Sequence, residues 1–211
     1  MAQKPGKFIT FEGGEGAGKS TNILVAQEYL ESQGIKTQLT REPGGTPLAE
    51  EIRSLLISKR EESVNELTEL LLVFSARAQH LNNLIKPALA QGIWVLCDRF
   101  TDATYAYQGA GRGLSVEAIR TLETLVQGNI RPDLTLLLDL DIEVGATRAR
   151  NRGALDRFES LDAEFFSRVR DMYLQRAKSE SYYKVVDANQ SLENVQLAVK
   201  NTLIEFIREV S

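Results

Sequence analysis

The chain has 211 residues, 43% hydrophobic and 26% charged, with a formal net charge of −4 from 25 Lys and Arg against 29 Asp and Glu. That size and balance suit one domain able to bury a continuous core. The acidic excess argues against a nucleic-acid partner, so any bound anion must be held by a local cluster of arginines. A single cysteine, Cys97, excludes an internal disulfide, residues 1–7 lack the apolar core of a signal peptide, and no apolar run nears the roughly 18 residues that span a bilayer, so a cytoplasmic protein without membrane contact is expected.

In chain order, Phe8-Ile9-Thr10-Phe11 is a short β-favouring run. It leads into Gly13-Gly14-Glu15-Gly16-Ala17-Gly18-Lys19-Ser20, which fits the pattern G-x-x-x-x-G-K-[ST] without a mismatch, and a helix-period segment follows from residue 20 to 33 before Gly34. Lys36 to Thr40 predicts a second strand. Two prolines and two glycines between Arg41 and Pro47 then rule out regular structure, and helix period returns from Leu48 to Ser58. Residues 59–65 read as a loop. Glu66 to Ala90 predicts a long helix with apolar positions on more than one face, buried on several sides or set in a subunit interface.

Ile93 to Cys97 has the unbroken apolar character of a central parallel strand and ends on Asp98-Arg99. A glycine-rich loop, Gln108 to Gly113, precedes a helix from Ser115 to Val126. Leu134 to Leu138 is another buried strand, Ile142 to Arg152 a helix interrupted near Gly153 by a basic stretch, and Ala163 to Lys178 a further helix. Tyr183 to Asp187 is the last strand and Leu192 to Ile207 the last helix. This alternation predicts an α/β fold, a five-stranded parallel sheet covered on both faces, as a single domain over residues 1–211.

The strand, loop, helix context makes the glycine run a nucleoside triphosphate site. Its amides converge on phosphate oxygens, Lys19 reaches the outer phosphates, and the Ser20 hydroxyl is placed to ligate Mg²⁺. In an open parallel sheet, ligands gather beyond the carboxyl ends of the strands, where Arg41, Asp98, Arg99 and Asp187 also fall. Arg41 alone reads equally well as a solvated side chain, whereas Asp98 is the expected partner of Mg²⁺, directly or through water.

The chain resembles thymidylate kinase nearly end to end, through Phe11-Glu12 and the glycine run, Arg41-Glu42-Pro43-Gly44-Gly45-Thr46, Phe74-Ser75-Ala76-Arg77, Asp98-Arg99-Phe100, Ala106-Tyr107-Gln108-Gly109 and Leu155-Asp156-Arg157-Phe158-Glu159. The resemblance implies the nucleoside monophosphate kinase fold with a short lid near residues 148–160, transfer of the γ-phosphoryl of MgATP to dTMP in dTTP synthesis, and a homodimer. It further implies donor contacts from Gly13, Gly14, Glu15, Gly16, Ala17, Gly18, Lys19, Ser20 and Thr21. Arg41 and Arg99 become clamps on the acceptor phosphate, and Glu15 the acceptor of the sugar 3′-hydroxyl. Phe74 would stack on thymine, Arg77 would bond its O4, Gln108 would touch the base, and Thr104 and Tyr107 would shape the sugar floor. Many members set the aromatic four residues before the arginine, a position held here by Val73.

Some members carry the catalytic arginine in the phosphate loop, where this chain has Gly16, so the resemblance points to the bacterial type with that arginine in the lid. Arg157 is then the candidate beside Lys19 and Arg99, and Arg148 suits stacking on adenine. Arg148, Arg150, Arg152 and Arg157 taken only as a charge run read as a solvated helix surface. His80, Cys97, Asp139 and Asp141 read as structural or solvated. Other readings are a kinase for another nucleoside monophosphate, a nucleotide switch, for which no Asn-Lys-x-Asp element is present, and a silent homologue, which would have lost Lys19, Arg99 or the lid arginines.

Overall fold

Strand β1 (Phe8–Glu12) is buried along its whole length and lies at the centre of a parallel sheet of order β2-β3-β1-β4-β5. The other strands are β2 (Thr37–Arg41), β3 (Trp94–Asp98), β4 (Leu134–Asp139) and β5 (Tyr183–Asp187), described in a computed structural model that covers residues 4–152, 157–158 and 161–210. The five strands expected from the sequence are all present and parallel.

Successive side chains of a strand face opposite ways, and this period of two builds the two cores. Ile9, Phe11, Leu96, Leu136 and Leu138 meet Ala26 and Leu30 of α1 (Lys19–Ser32) and Val199 and Leu203 of α9 (Leu192–Val210). On the other face Phe8, Val95 and Cys97 meet Leu81, Ile85 and Phe100, while Leu137 meets Val169 and Tyr173 of α8 (Ala163–Ser179). A sheet so covered leaves only its ends for ligand.

Four further helices begin where capping residues stand. Thr46 accepts from the Ala49 amide to start α2 (Pro47–Ile57), Asn65 from Leu67 to start α3 (Glu66–His80), Ser115 from Glu117 to start α6 (Val116–Gln127), and Asp162 from Phe165 to start α8. Helix α7 (Ile142–Arg152) follows β4. Among the described residues, no helix is long and apolar enough to cross a membrane.

Two stretches depart from the sequence reading. The long helix expected over residues 66–90 is continuous, but it widens to a π-helical turn at Leu81–Ile85 before α4 (Lys86–Ala90). Pro87 explains this, since its ring cannot tolerate the carbonyl four residues back in α-geometry and it has no N–H to donate. The expected glycine-rich loop at Gln108–Gly113 is for the most part not a loop. A short helix, α5 (Thr101–Thr104), runs on as a π-helical segment from Tyr105 to Gly111. Its glycines serve close packing: a Cβ on Gly111 would lie 2.5 Å from the Phe165 ring, and one on Gly109 3.2 Å from Ile119.

Register sets the strand ends flush. Phe11 and Arg41 both pair with Asp98, so Glu12, Arg41 and Asp98 reach the same rim of the sheet.

Candidate active site

Between β1 and α1 the chain must turn sharply around its own amides. Gly13, Gly16 and Gly18 take positive φ values of 138°, 72° and 85°, conformations that side chains disfavour. Gly16 has a second constraint, because a Cβ there would strike the backbone of Gly145 in α7, and a Cβ on Gly145 would lie 2.5 Å from the Glu15 carbonyl oxygen. The loop and α7 thus touch backbone to backbone. Lys19 is buried and donates to the carbonyls of Gly13 and Gly14 at 3.1 and 2.8 Å. Burial, followed by the nearby charge of Arg99, lowers its pKa.

A cleft of about 670 Å³ opens beside this loop. Glu15, Gly16, Ala17, Gly18, Lys19, Ser20, Thr21 and Arg148 line its loop side, and Arg41, Arg53, Arg77, Asp98, Arg99, Thr104, Tyr107 and Gln108 its other wall. Gly13 and Gly14 face a separate cavity of about 400 Å³ between the loop, α7 and α8. Ser20 Oγ donates to Asp98 Oδ2 at 3.4 Å, while Asp98 Oδ1 is buried without a partner. A hydroxyl and an unmet carboxylate oxygen at the mouth of a phosphate loop fit Mg²⁺, which binds through few protein oxygens together with water and phosphates.

Arg99 is the hub of the other wall. Its φ of 68° is the single positive value at a non-glycine residue among those described, and it turns the guanidinium back over the loop. Nη1 donates to the Gly13 carbonyl at 2.9 Å and to Tyr173 at 3.2 Å, and Nη2 donates to Glu15 at 2.6 Å and to Tyr107 at 3.0 Å. Tyr107 also donates to Glu15, and Tyr173 to Glu12. Glu12, wholly buried, is pushed up to about 7 by burial and then by Asp102, against the pull of Arg99, Tyr173 and the Phe100 amide. Arg41 makes a two-pronged bond to Glu50, whereas Arg53 donates to the Pro43 carbonyl and has its pKa lowered by burial and then by Arg41.

At the far end lies Arg77, 1% exposed. Its Nε donates to Glu42 at 2.6 Å and its Nη2 to Thr104 at 2.9 Å and the Phe100 carbonyl at 3.2 Å, but its Nη1 is buried with no partner. Burial works to raise Glu42, and the charge of Arg77 with the bond from His80 overcomes it, leaving the carboxyl below its usual range. A buried guanidinium N–H left unmet costs about 1 to 3 kcal/mol, so this one calls for a ligand acceptor.

The family model of thymidylate kinase matches residues 11–199. A thymidylate kinase of Teredinibacter turnerae is 57% identical over 203 residues, covering 96% of this chain and 99% of its own, and one of Ectopseudomonas mendocina is 62% identical over 192 residues, covering 90% and 91%. The chain belongs to the thymidylate kinase family. Among solved structures, the thymidylate kinase of Ehrlichia chaffeensis superposes with a TM-score of 0.76 at 37% identity, covering 94% of this chain and 99% of that one. The parallel sheet with its phosphate loop is the monophosphate kinase fold that the resemblance implied.

For a thymidylate kinase the sequence reading of Phe74 needs correction. Helical spacing puts it on one face with Arg77, but its ring lies buried with Leu70, Tyr105 and Ile119, stacked 4.8 Å from the Arg77 guanidinium. The Arg77 guanidinium also lies over Phe100, 5.1 Å from that ring. Val73 and Phe100 line the cleft, and Phe74 does not. Arg157 is also placed unexpectedly: it donates to Glu69 at 2.7 Å and to the Leu56 carbonyl at 2.8 Å, while its neighbour Phe158 lines the cleft. Leu155, Asp156 and Glu159 of the lid motif, with Gly153, lie outside the described residues. Arg148 reaches the Ala188 carbonyl at 3.4 Å, next to the end of β5.

Sequence reasoning missed Glu12, Glu69, Tyr173 and Arg53. Glu12 and Glu42 stood inside quoted motifs with no role, and their position at strand ends was the available signal. Tyr173, on a helix far along the chain, had none. His80, read as structural, is fully buried between Glu42 at 3.0 Å and Thr40 at 2.6 Å.

Proposed function

We propose that this protein transfers the γ-phosphoryl group of MgATP to the phosphate of dTMP, giving dTDP and ADP for dTTP synthesis. The observation that carries this reading is the pairing, in one cleft, of a phosphate loop with the unmet Nη1 of Arg77, a buried donor suited to a base carbonyl.

In this reading Lys19 and the amides of residues 13–21 hold the donor phosphates and Arg148 stacks on adenine. Arg41 and Arg99 clamp the acceptor phosphate with Arg53 beside them, since a guanidinium fork matches phosphate geometry. Glu15, already accepting from Arg99 and Tyr107, takes the 3′-hydroxyl. Thr104 and Tyr107 bound the sugar, Arg77 donates to O4, Gln108 reads N3, and Val73 and Phe100 supply the apolar walls around the base. Ser20 and Asp98 are the residues that would hold Mg²⁺, which would supply neutralisation of phosphate charge. No protein base is needed, because the acceptor phosphate is already ionised at neutral pH. Arg157 exchanges Glu69 for the transferred group and offsets its charge, a contribution that preorganised cations make in a closed site.

The reading includes a cytoplasmic homodimer. Leu48 and Leu55 on α2, Leu67 and Leu71 on α3 and Leu125 on α6 are all about half exposed or more, which supports a covered face between subunits. Sedimentation as a monomer at low concentration would overturn that part. The activity is tested by ADP release from MgATP with the monophosphates of thymidine, deoxyuridine, uridine, cytidine, adenosine and guanosine supplied singly. Strong preference for dTMP is expected, and preference for another monophosphate, or turnover with none, would refute the reading.

A further inference from the structure

Gln108 is an amide, and an amide can face a base with either its oxygen or its nitrogen. Which it presents decides whether the site reads a ring N–H or a bare ring nitrogen. The choice is made by Glu69, a carboxylate of α3 with no exposed surface. Gln108 Nε2 lies 2.8 Å from Glu69 Oε1. An ionised carboxylate only accepts, so the NH₂ of Gln108 must turn toward it and the amide oxygen is left for the cleft that Gln108 lines. Two guanidinium groups hold Glu69 in that role. Arg112 donates to Oε1 at 3.3 Å and to Oε2 at 3.2 Å, and Arg157 donates to Oε2 at 2.7 Å.

We infer that Glu69 is a specificity-determining positioning residue: by fixing the amide of Gln108 it makes the pocket an acceptor beside the Arg77 donor, the complement of an imide edge. The inference rests on the proposed dTMP activity and adds how base choice is enforced. Thymine offers an accepting O4 and a donating N3–H to this pair, whereas cytosine offers the reverse at both positions. Glu69 never touches the base. It also joins base reading to the lid, because the same carboxylate holds Arg157.

The test compares kcat/KM for dTMP and for 5-methyl-dCMP, which keeps the ring and the methyl group but inverts the edge, in wild-type enzyme and in Glu69→Gln. The two arginines keep the glutamine oxygen, so its NH₂ faces Gln108 and drives that amide to flip. A fall in the dTMP to 5-methyl-dCMP selectivity of roughly tenfold or more is expected. The ratio is independent of how much of the variant is folded. In a Gln108→Leu background the further change Glu69→Gln is expected to leave the ratio where Gln108→Leu put it, which a merely structural role would not require. If Glu69→Gln gives no soluble enzyme, Glu69→Asp retains the charge while drawing the carboxylate back by one methylene, and the same fall is expected. Unchanged selectivity in a wild-type-like Glu69 variant, or an equal change with and without Gln108, would overturn the inference alone. A wild-type enzyme with no preference for dTMP would overturn the activity on which it rests, and the inference with it.

Discussion

Replacing Glu12 with glutamine isolates a buried charge that the fold keeps next to its phosphate loop. The carboxyl receives the Phe100 amide at 2.7 Å and the Tyr173 hydroxyl at 2.8 Å, yet burial first, and Asp102 second, raise it from 4.5 to about 7. A rise of that size corresponds to about 3 kcal/mol between the protonated and ionised forms. Because the folded value lies above the unfolded one, the contribution of Glu12 is fully present below about pH 4.5 and is lost as the pH climbs through about 7. The amide of Glu12→Gln cannot ionise. Unfolding by denaturant, without ligand, is expected to give wild type and Glu12→Gln similar stability near pH 5, with the variant gaining about 3 kcal/mol relative to wild type by about pH 8.5. In thermal scans that is a divergence of roughly 6 to 12 °C in Tm for a chain of this size. Asp102 is present in both proteins, so its own titration largely drops out of the comparison. Parallel stability profiles across this range would refute the reasoning.

Other outcomes follow from the site. Arg157→Ala is expected to lower kcat by roughly a thousandfold with a small change in the KM for dTMP, while Arg150→Ala, whose side chain lines the separate cavity, stays within a few-fold; the reverse pattern in steady-state assays would remove Arg157 from the chemistry. Gly145→Ala gains about 1 kcal/mol of helix propensity but places a methyl group 2.5 Å from the Glu15 carbonyl, an overlap costing about 1 to 3 kcal/mol, so the KM for MgATP rises more than that for dTMP; unaltered ATP kinetics would show that the loop and α7 need not touch. Phe74→Leu is expected to lower stability by about 1 kcal/mol and leave the KM for dTMP nearly unchanged, since the ring packs on the back of Arg77; a large rise in KM at unaltered Tm would return Phe74 to the base pocket.

What the sequence made legible was whatever repeats locally. Strands β1, β3, β4 and β5 could be read because their apolar stretches end on charged residues, and the phosphate loop because its glycine spacing is a backbone requirement stated in letters. Gln108 to Gly113 misled because glycine signals both turns and close packing, and only the distant Phe165 and Ile119 reveal which applies. Phe74 misled for a related reason. Spacing along a helix tells which side chains share a face, but not that a guanidinium would lie between one ring and the cleft. The link from Glu12 through Tyr173 to Arg99 joins residues more than 160 positions apart, and no pattern in one chain marks it.

The ion pairs of the cleft also have a direction. At the Arg77 end each of three guanidinium groups has a carboxylate for company: Arg77 has Glu42, and Arg112 and Arg157 share Glu69. At the loop end Lys19 and Arg53 bond only to backbone carbonyls among the described residues, and Arg41 and Arg99 crowd beside them. Arg41 and Arg99 are themselves paired with Glu50 and Glu15, so among the described residues Lys19 and Arg53 are the loop-end cations whose charge no directly bonded carboxylate offsets. An anionic group entering the cleft is drawn toward these two, a pull that acts across solvent before any hydrogen bond has formed and biases which end of an incoming molecule arrives first.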